Sequence, residues 1–323
     1  MIATRQIGQT NVQVTTQSFG CASIGNLYQE VTDSAAQHVL TAAWDAGIRY
    51  FDTAPHYGRG LSETRLGAFL QGKPREDYVI STKVGRVLSP GAPMEEADSF
   101  INPLPNNVRY DYSGDGIEAA LEGSRERLGT RYIDIIYVHD IGEFTHGLDN
   151  TAHMDAFWGS GYERLVKLKE QGQIGAIGLG VNENEICIDI LTKAHIDVIL
   201  LAGRLTLLDR SAEAELLPLC QSKGTSLVLG GIFNSGILAT GAKEGATYNY
   251  APASPEIQRA VNKLEDKANK LGMPLASAAL QFAMRAPQTA SVLLGTAKAS
   301  SLQRNLAALT QRPPDDFDAT FGL

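Results

Sequence analysis

Residues 47–70, GIRYFDTAPHYGRGLSETRLGAFL, contain a strand, a chemically loaded bend and a helix in one pass. Residues 48–52 have the β-branched and aromatic content of a short strand. Ala54-Pro55 ends it, and residues 62–70 read as a helix with Glu63 outside the apolar face. A strand handing directly to a helix is half of a βαβ unit.

The unit recurs in both directions from there. Upstream, residues 5–7 and 12–15, turned at 8–11, predict a small hairpin. Residues 18–21 predict a first strand, and a helix over 35–46 is capped by Thr32 or Asp33 and stopped by Gly47. Downstream, strands are expected at 78–83, 132–139, 174–180, 198–202, 226–230 and 291–294. Helices are expected at 116–128, 162–171, 185–194, 212–223, 255–271, 275–285 and 300–309. Eight strands alternating with helices predict an α/β protein, a closed (β/α)8 TIM barrel with an N-terminal β-hairpin. An open doubly wound sheet is disfavoured because no GxGxxG follows the first strand. Two long connections, 86–113 and 231–253, both follow strands and are expected as loops at the C-terminal face.

The chain has 323 residues, 43% hydrophobic and 20% charged, which suits one domain over 1–323 with a large core. A net charge of −8 and pI near 5.3 argue against nucleic-acid and anionic-membrane partners. Cys21, Cys187 and Cys220 form no CxxC, and no apolar run approaches the ~20 residues of a membrane span. A cytoplasmic setting is expected, with no metal site, because the histidines lack ligand spacing.

Three strand mouths carry chemistry. Asp52 ends one strand and Tyr57 follows five residues later. Lys83 ends Ser81-Thr82-Lys83, and His139 ends Tyr137-Val138-His139. A free tyrosine ionises near pH 10; a lysine held charged by a carboxylate is expected to pull that value down. Histidine would donate a hydrogen bond to a carbonyl oxygen at the same point. Singly, each is a turn cap, a loop anchor or a solvated charge. At one end of adjacent strands they make a general acid/base site.

In Phe-Asp-Thr-Ala-x-x-Tyr-Gly, Ser-Thr-Lys and Val-His-Asp, these residues resemble the catalytic tetrad of the aldo-keto reductases. The resemblance runs from the hairpin to Asn305. It implies a barrel binding an extended nicotinamide cofactor, with Tyr57 as general acid/base, Lys83 and Asp52 as its tuning pair, and His139 orienting the carbonyl. The longer match over 52–63, with Ser-Thr-Lys-Val-Gly-Arg and Thr145-His146-Gly147, is similar to the aldose 1-dehydrogenase branch. That branch implies oxidation of a hemiacetal carbon to a lactone, in an aldose of L-fucose, L-galactose or D-arabinose type or in pyridoxal.

Cofactor contacts implied by the resemblance are Asn182 at the nicotinamide amide, with Arg204 nearby as a contact or a rim ion pair. Phe233 is expected to stack, and Asn234, Ser235 and Gly236 to offer backbone N–H groups to the pyrophosphate. Gly295, Thr296, Lys298, Ser301, Arg304 and Asn305 are expected at the adenosine end. NADP-preferring relatives carry arginine at the Ser301 position, so NAD or NADP is expected with NAD favoured. Ser23, Asn26, His56, His146, Trp158 and Tyr250 are the candidate contacts to a small sugar or aldehyde. The competing readings are an NADPH-dependent reductase of small aldehydes, a non-enzymatic nicotinamide-binding regulatory barrel, and a metal-free hydrolase. The oligomeric state is left open.

Overall fold

The computed structural model describes residues 2–323. Eight parallel strands close into a barrel in chain order: β1 (Gln17–Gly20), β2 (Tyr50–Asp52), β3 (Val79–Val84), β4 (Ile133–His139), β5 (Ile174–Val181), β6 (Val198–Ala202), β7 (Ser226–Gly230) and β8 (Thr289–Gly295). The helices that cover it are α1 (Asp33–Asp45), α2 (Leu61–Leu70), α3 (Gly114–Leu128), α4 (Tyr162–Glu170), α5 (Glu185–Lys193), α6 (Leu216–Lys223), α7 (Pro255–Lys270), α8 (Leu275–Arg285) and α9 (Ala299–Thr310). Strands buried on both faces explain the near-continuous apolar runs; every residue of β4 is buried.

Helix ends follow local chemistry. The Thr32 side chain accepts from the Ala35 N–H and caps α1. Ser113 does the same for α3, which stops where Gly129 turns left-handed at φ 66°.

Two apolar cores result. One lies between barrel and helices and includes Phe19, Phe51, Leu66, Ile136 and Phe282. The other fills the barrel itself, where Tyr50, Tyr137, Val198 and Val228 meet Ile7, Val12 and Val14 of the N-terminal hairpin. The hairpin (Thr4–Gln6 with Gln13–Thr15) thus plugs the floor, opposite the chemical residues.

Three expectations need correction. Residues 86–113 are not a loop: Arg86–Pro90 pairs antiparallel with Asn106–Tyr110, and Glu96–Ala97 with Phe100–Ile101. The helix expected from residue 212 begins at Leu216, after a 3-10 turn over Ser211–Glu213. Glu63 is fully buried, because α2 packs against α3 as well as the barrel. Its carboxylate accepts from Thr82 Oγ1 at 2.6 Å and from Arg127 Nε at 2.6 Å.

Candidate active site

The barrel carries Asp52, Lys83 and His139 to the C-terminal ends of β2, β3 and β4. Register fixes their spacing: Asp52 pairs with Ser81, and Lys83 with Tyr137. Tyr57 follows on the turn after β2. Gly58 adopts φ 63° there, and any Cβ would strike the Gly25 carbonyl oxygen, so the turn is pinned against the β1 connection. Tyr57, Lys83 and His139 line one cleft of about 460 Å³. Its walls are Tyr28, His56, Phe100, Phe144 and Tyr250, and its floor includes Gly180, Val181, Leu200 and Ala202.

Lys83 is 1% exposed and its ammonium is saturated. Nζ donates to Asp52 Oδ1 at 2.9 Å, Oδ2 at 2.7 Å and the Thr53 carbonyl at 2.8 Å. It also stands 4.8 Å from the Tyr57 ring centroid. Burial raises the Asp52 pKa from its ordinary value, while the ammonium and Ser81 pull against that rise. Below the pair runs a buried hydroxyl chain. Ser81 Oγ donates to Asp52 Oδ1 at 2.7 Å, so Tyr50 must donate to Ser81 at 3.1 Å and Tyr137 to Tyr50 at 2.9 Å.

Tyr57 does not behave as the sequence suggests. Burial, then the charges of Asp52 and Asp140, hold its phenol well above the ordinary value, against the pull of Arg86. Lys83 has spent its charge on Asp52, so the lysine-lowered phenol is not what this arrangement produces.

His139 is held neutral. Burial, then Arg86, Lys83 and His56, push its pKa well below the ordinary value. Arg86 Nη1 lies 2.8 Å from its Nδ1, and Nη2 donates to Asp140 Oδ2 at 2.9 Å. Arg86 and Asp140 were given no role on sequence grounds. The only signal was an arginine three residues after Lys83. His56 is also neutral, its pKa lowered to about 3 by burial first and then Arg86, and its Nδ1 is buried without a partner.

The remaining candidates divide. Asn182 and Tyr250 line the cleft, Asn182 Nδ2 reaching Asp140 Oδ1 at 3.4 Å. Arg204 sits at the rim, donating to Asn249 Oδ1 at 2.9 Å and facing Asp209 at 3.4 Å. Asn234 is spent structurally: its amide accepts from Thr206 at 2.6 Å and donates to the Gly203 carbonyl at 3.0 Å. The backbone N–H groups of Asn234 and Gly236 are bonded to Gly231 and Phe233 within their own turn, which corrects their expected role as free donors. Phe233 packs on the outer core rather than lining the cleft. Ser235 is exposed, its Oγ accepting from the Tyr250 N–H at 3.0 Å.

Four substrate candidates fall outside the lining. Ser23 lies on the turn behind Ala22. Asn26 is a loop anchor, bonded to Ile101, Val31 and Arg65. His146 bonds Tyr112 at 2.9 Å and packs on His153 behind the wall. Trp158 packs on Phe157 and Tyr162 in the helix layer. Lining residues missed in the sequence are Tyr28, Asp98, Ser99, Phe100 and Phe144. They come from distant connections and share no motif.

At the end of β8, Gly295 and Thr296 lead into α9. Its N-cap, Lys298, makes no side-chain cap, and Ser301 Oγ meets Arg304 at 3.3 Å. Asn305 is half-buried on the same helix. An uncapped helix start with two cations suits a phosphate-bearing group. The small aliphatic floor beside Asn182 suits a planar ring. The chemistry of these residues fits a nicotinamide dinucleotide. Among the described residues, no group of three or more metal-ligating side chains gathers, and no helix is long and apolar enough to cross a membrane.

A (β/α)8 barrel with a tyrosine, a lysine–aspartate pair and a histidine at its mouth defines a class of oxidoreductase. The chain belongs to the aldo/keto reductase family, whose pattern matches residues 18–320. It is an oxidoreductase of that family, whose members use NAD(P)(H). It is 42% identical to the pyridoxal 4-dehydrogenase of Microbacterium luteolum, over 98% of this chain and 95% of that one. It is 37% identical to a D-threo-aldose 1-dehydrogenase of a Pseudomonas species, over 89% and 87% respectively. Among solved structures, the holo form of aldo-keto reductase AKR11C1 from Bacillus halodurans superimposes with TM-score 0.78 at 25% identity, covering 100% of this chain and 96% of that one.

Proposed function

We propose that this protein oxidises the hemiacetal carbon of a small cyclic substrate to a lactone. The substrate is a free aldose of the L-fucose, L-galactose or D-arabinose type, or pyridoxal, whose aldehyde closes a ring in the same way. The observation that carries the reading is the convergence of Tyr57, His139 and the Lys83–Asp52 pair on one cleft with aromatic walls. Relatives named for both substrate types support it. So does the wall itself: Tyr28, Phe100, Phe144 and Tyr250 offer apolar faces to a ring, and His56 lines the same cleft.

In this reading the Tyr57 hydroxyl exchanges a proton with the reacting oxygen, and His139 Nε2–H orients that oxygen. Lys83, fixed by Asp52, forms the polar base of the site beneath Tyr57. Asn182 would hold the nicotinamide amide; Thr296, Lys298, Ser301, Arg304 and Asn305 would hold the adenosine end. When bound, the cofactor supplies the hydride acceptor. Serine at 301 favours NAD over its 2′-phosphorylated form.

The test is a spectrophotometric panel of L-fucose, L-galactose, D-arabinose and pyridoxal with NAD or NADP, run on wild type and Tyr57→Phe. Oxidation of at least one substrate is expected, preferentially with NAD. Tyr57→Phe should lose turnover by at least about 100-fold while still quenching cofactor fluorescence on binding. An active Tyr57→Phe enzyme overturns the proton-transfer role. Activity confined to NADPH-dependent reduction of small aldehydes overturns the substrate reading.

A further inference from the structure

We propose that Arg86 is a positioning residue: its guanidinium fixes the His139 imidazole in one tautomer, with Nδ1 accepting and Nε2–H left for the substrate oxygen. The inference rests on the reading of His139 as the donor to the reacting oxygen, and it deepens that reading.

An arginine keeps its charge and has no acceptor, so a ring nitrogen that hydrogen-bonds to it must be the acceptor. Arg86 Nη1 lies 2.8 Å from Nδ1 and 3.3 Å from Nε2, and the shorter contact assigns the acceptor. The second arm of the fork is tied to Asp140 Oδ2 at 2.9 Å. Arg86 is only 4% exposed, and its guanidinium lies 5.3 Å from the Tyr110 ring centroid. The histidine is held from its backbone as well, since Tyr112 Oη donates to the His139 carbonyl at 2.7 Å.

The bend at Gly85 makes this possible. There φ is 101°, and a Cβ would collide with the Tyr112 ring, so β3 leaves the barrel tightly around that ring. Arg86 is thereby delivered against the face of β4 rather than outwards.

The groups facing His139 complete the case. Lys83 comes from β3, His56 and Tyr57 from the turn after β2, and Asp140 is its chain neighbour. Asp140 could stabilise an imidazolium, with Oδ2 3.4 Å from Nε2, but that oxygen already accepts from Arg86. A proton added to the ring would meet two fixed cations. His139 is therefore a hydrogen-bond donor that does not take part in proton transfer, and Tyr57 is left as the sole proton-transfer group.

The test combines imidazole 15N NMR with kinetics on wild type, Arg86→Gln and Arg86→Lys, with His139→Asn used to assign the resonance. In wild type, His139 is expected to show the neutral Nε2–H pattern throughout pH 5.5–8. In Arg86→Gln the ring should titrate inside that window, moving toward the ordinary imidazole value of about 6.5. Its kcat should fall by up to about 100-fold, with KM changed less. Arg86→Lys keeps a cation but not the fork, so kcat should fall with no new titration; it carries the test if Arg86→Gln does not fold.

A non-titrating Nε2–H ring with wild-type kcat in Arg86→Gln overturns the inference, as does wild-type kcat in Arg86→Lys. Lowered thermal stability with an unchanged pH profile also overturns it. Failure of the underlying reading looks different: an active His139→Ala enzyme removes the donor role while the NMR result still reports on the Arg86 contact.

Discussion

At Tyr57 two effects compete, and its surroundings decide between them. A neighbouring ammonium lowers a phenol, and removal from water raises it. Lys83 spends three hydrogen bonds on Asp52 and Thr53, so what Tyr57 faces is close to a neutral pair, and burial wins. A raised phenol is protonated at neutral pH and is ready to donate. To accept a proton during oxidation it must first ionise, and the ionised fraction grows about tenfold per pH unit below the pKa. Oxidation kcat/KM should therefore climb from pH 7 to pH 9 without levelling, and a plateau in that range would contradict the assignment. Asp52, Tyr57, Lys83 and His139 were legible in the sequence because each closes a short strand or the turn after it. Arg86 was not, because its value depends on the direction of the chain after Gly85.

Elements were legible where period and caps agree. The ends of β6, β7 and α8 fall where the pattern puts them, because their turns are set by glycine, proline and caps. What period alone leaves open is which neighbours an element meets. Glu63 lies off the apolar stripe of α2, yet it is sealed by β3 on one side and α3 on the other. Removing it leaves Thr82 unbonded and the Arg127 guanidinium, 19% exposed, without its anion. Glu63→Ala should cost about 3 kcal/mol, measured by urea unfolding, whereas a surface glutamate would cost almost nothing. The ribbon of Arg86–Pro90 with Asn106–Tyr110 escaped notice because its prolines read as loop punctuation. Proline is tolerated there at the end of an isolated two-stranded edge.

For the whole molecule, several histidines are folded into places that refuse a charge. Burial leads the causes for His56, held at about 3, for His146, held at about 4, and for His139. Unfolded, each would bind a proton near pH 6.5. The unfolded chain thus takes up protons first, so stability is complete above that value and drains as pH falls. His56 alone should remove about 2 kcal/mol between pH 7 and pH 5. The raised carboxylates Asp52 and Asp134 act in the opposite sense, but only nearer their own range. Thermal melts at pH 7, 6 and 5 should show a falling midpoint; a midpoint that holds or rises would show these imidazoles are not kept neutral.

The hydroxyl chain beneath Asp52 gives the barrel interior a polarity of its own. Because a carboxylate only accepts, Tyr137, Tyr50 and Ser81 must all point their protons the same way. The chain lies in the same buried cluster as Ile7, Val12 and Val14. Asp52 is thus biased by a one-way dipole inside the barrel. Through Asp52 this dipole reaches Lys83 from inside the barrel, on the side away from the cleft that Lys83 lines.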